Sequence, residues 1–302
     1  MTTPASTAGP PRAVRFAALG DSLTSGVGDP LADGRGRGWA ALLCGGGGMD
    51  AAPGASPDGA AGSASLQGMG PDAGAGVALH LVAGAGPDAG SGDGSDAVPS
   101  GSPYAEVGAA LHVVPGEGPD DAAVRERVVA LRNFAVSGAL TRDVEEQQAP
   151  AALAFRPDLA SVVVGVNDTL RRAFDIQDVA LRLDRICGEL AAHGAVLLTA
   201  CLPDPGTMLG LPGPLARPLA RRQRAVNAVV HALSARYDCV HLHMSDAGWV
   251  ADRSLWSADR LHPGERGHRV IAARFHELLA ERGFVLGAPP ALTTDRPPPS
   301  RL

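Results

Sequence analysis

Val14-Arg15-Phe16-Ala17-Ala18-Leu19-Gly20-Asp21-Ser22-Leu23 is the stretch on which the fold turns. An apolar run, Val14–Leu19, ends in Gly-Asp-Ser, residue types that favour turns. It reads as a buried strand with a serine delivered just past its end. Outward from it, strand and helix signals alternate. Gly38–Leu43 reads as part of the next helix. Val128–Ala135 is a second strand, and Arg142–Gln148 starts a helix. Leu159–Gly165, with Val162, Val163 and Val164 at its centre, is a third strand. Asp178–His193 is amphipathic, with Asp178 as N-cap and Gly194 as C-cap. Ala195–Leu202 and Cys239–His243 are strands on either side of a helix over Leu215–Arg236. Gly264–Arg282 is a final helix, with Val270, Ile271, Phe275, Leu278 and Leu279 on one stripe and Gly283 as its stop. Strands this apolar, separated by helices, require a parallel sheet covered on both faces. The expected fold is α/β: a doubly wound parallel sheet of about five strands in three α/β/α layers, in which a flavodoxin-like order 2-1-3-4-5 would set the first strand between the second and third.

Composition bounds the function. The chain has 302 residues and a formal net charge of −6, and all 26 of its basic residues are arginine. An acidic chain without a basic block argues against nucleic acid as a partner. Cys44, Cys187, Cys201 and Cys239 are widely spaced and read as buried reduced thiols. Residues 1–12 lack an apolar core of signal-peptide length, and no stretch approaches a membrane span. The expectation is a cytoplasmic protein without integral membrane contact. The oligomeric state is not legible.

The expected organisation is a disordered N-terminus at 1–12, a catalytic domain at 13–287 and a Pro-rich disordered tail at 288–302. Inside the domain, 45–119 is built mainly of Gly, Ala, Asp, Ser and Pro, which bury too little apolar surface to offset their ordering entropy. This insertion contains two copies of one pattern, Gly76–Asp88 and Gly108–Asp120, with His80 and His112 at matching places. Two copies fall short of a solenoid. The insertion is expected at the amino edge of the sheet, away from Ser22.

Three further motifs follow Gly20-Asp21-Ser22-Leu23 in order: Asn133-Phe134-Ala135-Val136-Ser137-Gly138, Gly165-Val166-Asn167-Asp168 and Asp259-Arg260-Leu261-His262. Each alone also reads as a turn or a cap. Together, on an α/β scaffold, they fall at the carboxyl ends of strands, where such sheets bind ligands. A serine hydroxyl is a weak nucleophile until a base takes its proton. His262 is the base of choice, and Asp259 can fix its tautomer. The Ser22 and Gly138 N–H groups and the Asn167 amide can receive a developing oxyanion. His241-x-His243 places two rings on one face of a strand, but no third ligand at metal spacing accompanies it, so the pair reads as structural. Elbow, Walker, zincin and dinucleotide motifs are missing from the sequence.

The four motifs resemble the SGNH (GDSL) family of serine esterases and lipases, over about Val14–Gly283 without the insertion. The resemblance implies cofactor- and metal-independent hydrolysis of a small-molecule ester through an acyl-enzyme, with Ser22, Asp259 and His262 catalytic and Ser22, Gly138 and Asn167 as oxyanion hole. It also implies structural roles for Asn133 and for Asp168, which would fix the loop carrying Asn167. The 45–119 insertion departs from the short connection usual in the family. Two rival readings are a non-catalytic acyl- or glycan-binding module, and an interaction protein working through the insertion. Loops at Thr169–Phe174, Pro203–Pro214 and Asp246–Ser257, the last carrying Trp249 and Trp256, are candidates for shaping the substrate pocket. Met208, Leu209 and Leu211 have two equal readings, lining an apolar pocket or packing against the domain.

Overall fold

Along β1 (Val14–Gly20) successive side chains serve two different cores. Phe16 and Ala18 face one, Ala17 and Leu19 the other, as the two-residue period of a strand requires. A strand buried on both faces has no solvent side, which is why its sequence is nearly all apolar. The computed structural model describes residues 13–32, 34–45, 129–284 and 286–295. By internal contacts the chain divides into Met1–Ser56 with Val124–Leu302, and Pro57–Ala123. The N-terminus, almost all of the 45–119 insertion with its repeat, and Val128 lie outside the described residues.

The elements after β1 are α1 (Ser22–Ser25), α2 (Gly38–Leu43), β2 (Val129–Asn133), α3 (Thr141–Asp143), a π-type turn (Val144–Gln148), α4 (Ala149–Phe155), β3 (Leu159–Val163), α5 (Val166–Thr169) and α6 (Ile176–Ala192). Then come β4 (Val196–Cys201), α7 (Pro205–Met208), α8 (Gly213–Arg236), β5 (Val240–His243), α9 (Ala247–Ala251), a 3₁₀ turn (Arg253–Leu255) and α10 (Glu265–Glu281). All strand pairs are parallel, in the order β2-β1-β3-β4-β5. The chain goes from β1 to one side for β2, then crosses to the other for β3, so the β1/β3 junction is the switch point where a crevice opens.

Each face has its own core. On one, Trp39 of α2 lies between Phe16 and Phe275 of α10, with ring centroids 6.1 and 4.9 Å away. On the other, α4, α6 and α8 cover Ala17, Leu19, Val162 and Leu197. The result is the expected doubly wound α/β/α arrangement.

Two local expectations need correction. Helix α6 starts at Ile176, and its N-cap is Asp175, whose carboxylate accepts from Gln177 and Asp178 N–H. Asp178 lies inside the first turn. Gly194 follows the helix at φ 85°, past the His193 C-cap. The tail, expected to be disordered from Ala288, is tied down as far as Asp295. That carboxylate meets Arg37 and Arg269, and its N–H donates to Glu265 at 2.8 Å. Cys187, Cys201 and Cys239 are buried, Cys44 is half-buried, and all four are free thiols.

Candidate active site

Ser22 follows β1 directly and opens α1, with Asp21 as N-cap accepting from Leu23 N–H at 3.1 Å. A residue at the first turn of a helix keeps its N–H outside the internal hydrogen-bond ladder. On the β2 side, the chain after Asn133 stays beside β1: Phe134 N–H donates to Ala18 and Val136 N–H to Gly20. Ala139 C=O accepts from the Asn167 amide at 3.1 Å. Gly138 is therefore bracketed between a contact to Gly20 and a contact to Asn167. Its φ of 81° is the left-handed turn conformation that glycine adopts most readily.

Asn167, in α5 after β3, donates its second amide hydrogen to Asp21 Oδ2 at a longer 3.3 Å. Its neighbour Asp168 is buried and accepts from Thr141 N–H and, at 2.7 Å, from Thr141 Oγ1. That ties the α5 loop to the loop after β2. Burial raises the Asp168 pKa, with the Thr141 hydrogen bonds opposing it. Asn133 bridges in the same way, donating to Thr24 C=O and accepting from Ala135 N–H.

From the far end of the chain, the loop between the 3₁₀ turn and α10 brings Asp259 and His262. It is closed by Ser257 N–H donating to His262 C=O at 2.8 Å and by a bridge between Trp256 and Pro263. His262 Nε2 lies 2.7 Å from Ser22 Oγ, and Nδ1 lies 2.6 Å from Asp259 Oδ2. The other carboxylate oxygen accepts from Ser257 Oγ and from the N–H groups of Leu261 and His262. Burial opposes the charge on Asp259, but these hydrogen bonds outweigh it and hold the pKa at about 2. A carboxylate that stays ionised can orient an imidazole and stabilise its protonated form. Asp21 behaves oppositely: complete burial raises its pKa to about 6, against the Leu23 hydrogen bond and the nearby His262.

Several residues at this site were not signalled by the sequence. Gln148, buried in the π-type turn, accepts from Gly20 N–H and donates to Gly20 C=O, both at 2.9 Å. Buried His268 of α10 is bonded through Nε2 to Val27 C=O at 2.9 Å, and burial lowers its pKa. Of the two readings of Met208, the structure shows the second: it packs in the core, as does Trp256 of the Asp246–Ser257 loop, whose Nε1 donates to Trp249 C=O. Leu209 is exposed. Away from this site, the pair His241 and His243 does have companions: His231 of α8 and Cys201 of β4 lie beside it.

The family model for the GDSL-like lipase/acylhydrolase family matches residues 112–270. The chain belongs to that family. The match takes in Gly138, Asn167, Asp259 and His262, while Ser22 lies before it and is brought to them by the fold. Membership makes the protein a hydrolase acting on esters. Among solved structures, it is similar to a lipase/acylhydrolase from Enterococcus faecalis, at 14% identity and TM-score 0.51, covering 89% of this chain and 96% of that one. It is also similar to an acetylxylan esterase from Geobacillus stearothermophilus, at 16% identity and TM-score 0.52, covering 90% and 95%. A third similar structure is LAE5, a hydrolase from the metagenome of Lake Arreo, Spain, at 15% identity and TM-score 0.52, covering 89% and 97%. No curated protein matches the chain in sequence. Among the described residues, no helix is long and apolar enough to cross a membrane.

Proposed function

We propose that this GDSL-family hydrolase cleaves carboxylic esters of small molecules through an acyl-enzyme on Ser22. The observation that carries the reading is the unbroken hydrogen-bond chain from Ser22 Oγ through the His262 ring to Asp259, joining residues 240 apart in sequence. His262 takes the hydroxyl proton as Ser22 attacks the ester carbonyl, then gives it to the departing alcohol. Asp259 holds Nδ1–H and stabilises the imidazolium. Water repeats the cycle on the acyl-enzyme and frees the acid.

The oxyanion forms beside Ser22. We assign it to the Ser22 and Gly138 N–H groups and to the Asn167 amide. Both Asn167 hydrogens are engaged here, and the weaker bond, the 3.3 Å contact to Asp21, is the one exchanged for the oxyanion. Asp21 thus holds the amide in place between turnovers. Catalytic mutants of the similar acetylxylan esterase replace a serine or an aspartate by alanine, which is in keeping with this assignment. That similarity makes short acyl esters, acetyl esters first, the substrates to try.

The test uses p-nitrophenyl esters of graded chain length with wild type and Ser22→Ala, and a fluorophosphonate probe. Wild type should hydrolyse the short esters and label at Ser22, and Ser22→Ala should do neither. Inactivity across the series, or labelling elsewhere, would remove Ser22 from the mechanism.

A further inference from the structure

The register between β4 and β5 places Thr199 opposite His241 and Cys201 opposite His243. By the two-residue period of a strand, Cys201, His241 and His243 share one face. It is the face covered by α8, which contributes His231. One ligating atom from each of the four lies within 4.8 Å of every other. The three rings cluster: centroids are 4.7 Å apart for His241 and His243, at 78°, 4.9 Å for His231 and His241, at 81°, and 5.3 Å for His231 and His243, at 51°.

The tautomer of His241 can be read from its partners. Ser234 Oγ donates to Val230 C=O at 2.7 Å, so it accepts from Thr199 Oγ1, also at 2.7 Å. Thr199 Oγ1 then accepts from His241 Nδ1 at 2.8 Å. Nδ1 therefore carries the proton, and Nε2 keeps a bare lone pair. That Nε2 is buried and has no hydrogen-bond partner among the described residues. A buried acceptor left unpaired is costly, which marks this atom as one awaiting a ligand.

We propose that Cys201 Sγ and imidazole nitrogens of His231, His241 and His243 form a tetrahedral site for a zinc-class divalent cation. Zinc bonds of about 2.0–2.1 Å to nitrogen and 2.3 Å to sulfur imply ligand-to-ligand edges of about 3.3–3.6 Å. The Cys201 Sγ to His243 Nδ1 distance is 3.8 Å and every pair lies within 4.8 Å, so binding draws the ligands inward by up to about 1.5 Å. One thiolate with three imidazoles suits zinc and its neighbours, whereas calcium and magnesium demand oxygen. Thr199 and Ser234 are the outer partners that orient the His241 ring, as metal-bound histidines require. His231 and His243 are exposed while Cys201 is buried, so the ion enters from solvent and closes onto the sheet. Bound there, it cross-links the edge strand β5 to β4 and to α8. β5 is three strand spacings from β1, about 14 Å, so the ion supports the fold and takes no part in the reaction at Ser22.

The test titrates Co²⁺, then Zn²⁺, into the untagged full-length chain under reducing conditions. The expected result is one equivalent of tetrahedral cobalt with a thiolate-to-cobalt charge-transfer band, displaced by zinc. Cys201→Ser should lose that band. His231→Ala/His243→Ala, changed at two exposed positions, should stay folded by circular dichroism and keep esterase activity. It should lose more zinc affinity than the 10–100-fold typical of an outer-shell change such as Thr199→Val. Zinc should raise the melting temperature of wild type and leave that of the double variant unmoved. Absence of the cobalt spectrum in wild type would overturn the proposal. So would a full equivalent of zinc retained by the double variant, because the ion would then be held elsewhere.

Discussion

Gly28→Ala tests how tightly the reaction geometry depends on the loop that brings His262. Gly28 has φ 97°, and a Cβ there would lie 2.0 Å from Pro263 C=O and 3.6 Å from His262 Cβ. Ordinary contact begins at 3.4 Å, so the two segments must part by about 1.4 Å. Neither yields freely. Val27 is bonded to buried His268, and the Pro263 side is pinned by the Trp256 bridge and by Gly264 N–H on Leu255 C=O. The displacement is passed to His262, whose Nε2 starts 2.7 Å from Ser22 Oγ. A misplacement of about 1 Å costs on the order of 10²-fold, or about 2.7 kcal/mol of barrier. The expected outcome is a fall in kcat of at least that size with KM little changed, measured on p-nitrophenyl acetate. The control is Gly283→Ala, past the end of α10, with a similar φ of 79° and nothing within 4 Å of the added methyl. It shares the strain of about 1–2 kcal/mol and should lower the melting temperature while leaving kcat alone. Wild-type kcat in Gly28→Ala, or an equal loss in Gly283→Ala, would refute the reasoning.

Asp259→Asn should lower kcat by about 10²–10⁴-fold while leaving fluorophosphonate labelling of Ser22 slow but detectable, because only the orientation of His262 is lost. Asp21→Asn should separate stability from rate. The raised pKa of Asp21 means that its contribution to stability is full below 3.8 and is lost as pH rises through about 6. Removing the charge should therefore stabilise the protein at pH 8 by up to about 3 kcal/mol and hardly at pH 4. It should also slow kcat, since the Asn167 amide loses its charged acceptor; thermal melts at both pH values and a rate assay check this. Glu265→Ala should cost about 3–5 kcal/mol, because buried Arg269 and half-buried Arg37 lose a shared partner. Asp295→Ala should cost less than about 1 kcal/mol, since that carboxylate is largely exposed. The Asp295 N–H and the two guanidiniums overcome burial and hold Glu265 at about 2, so its contribution should persist above pH 4.5 and fade toward pH 2 in an acid titration.

The strands and helices, and the covering of the sheet on both faces, were legible because continuous apolar runs and amphipathic stripes carry that information locally, whereas strand order entered only through the flavodoxin-like expectation. The four motifs were legible for the same reason: each sits just past a strand or before a helix. What escaped was set by tertiary placement. Cys201 and His231 lie far from His241 in sequence, and only β-strand register and the seating of α8 bring them together. Asp175 and Asp178 are both acceptable caps by composition, and backbone geometry selects the first. The tail reads as unstructured from its prolines, yet one carboxylate meets two arginines of the folded domain. An apolar residue in a loop, such as Met208, reads equally as pocket lining or as core, and only the packing of the folded chain turns it inward.

β2 ends at Asn133, and although Val136 N–H still reaches Gly20 C=O, the Gly20 N–H takes its partner from a side chain, just where the chain turns into Asp21 and Ser22. The Gln148 amide takes the Gly20 N–H and gives a hydrogen bond to the Gly20 C=O beside that of Val136, acting as a counterfeit peptide unit. The sheet is thereby extended by one rung without any more strand. The serine is thus aimed from outside its own loop, by a side chain on a wide helical turn of a separate segment. Variation in that turn would re-aim Ser22 while every residue named in the four motifs stays the same.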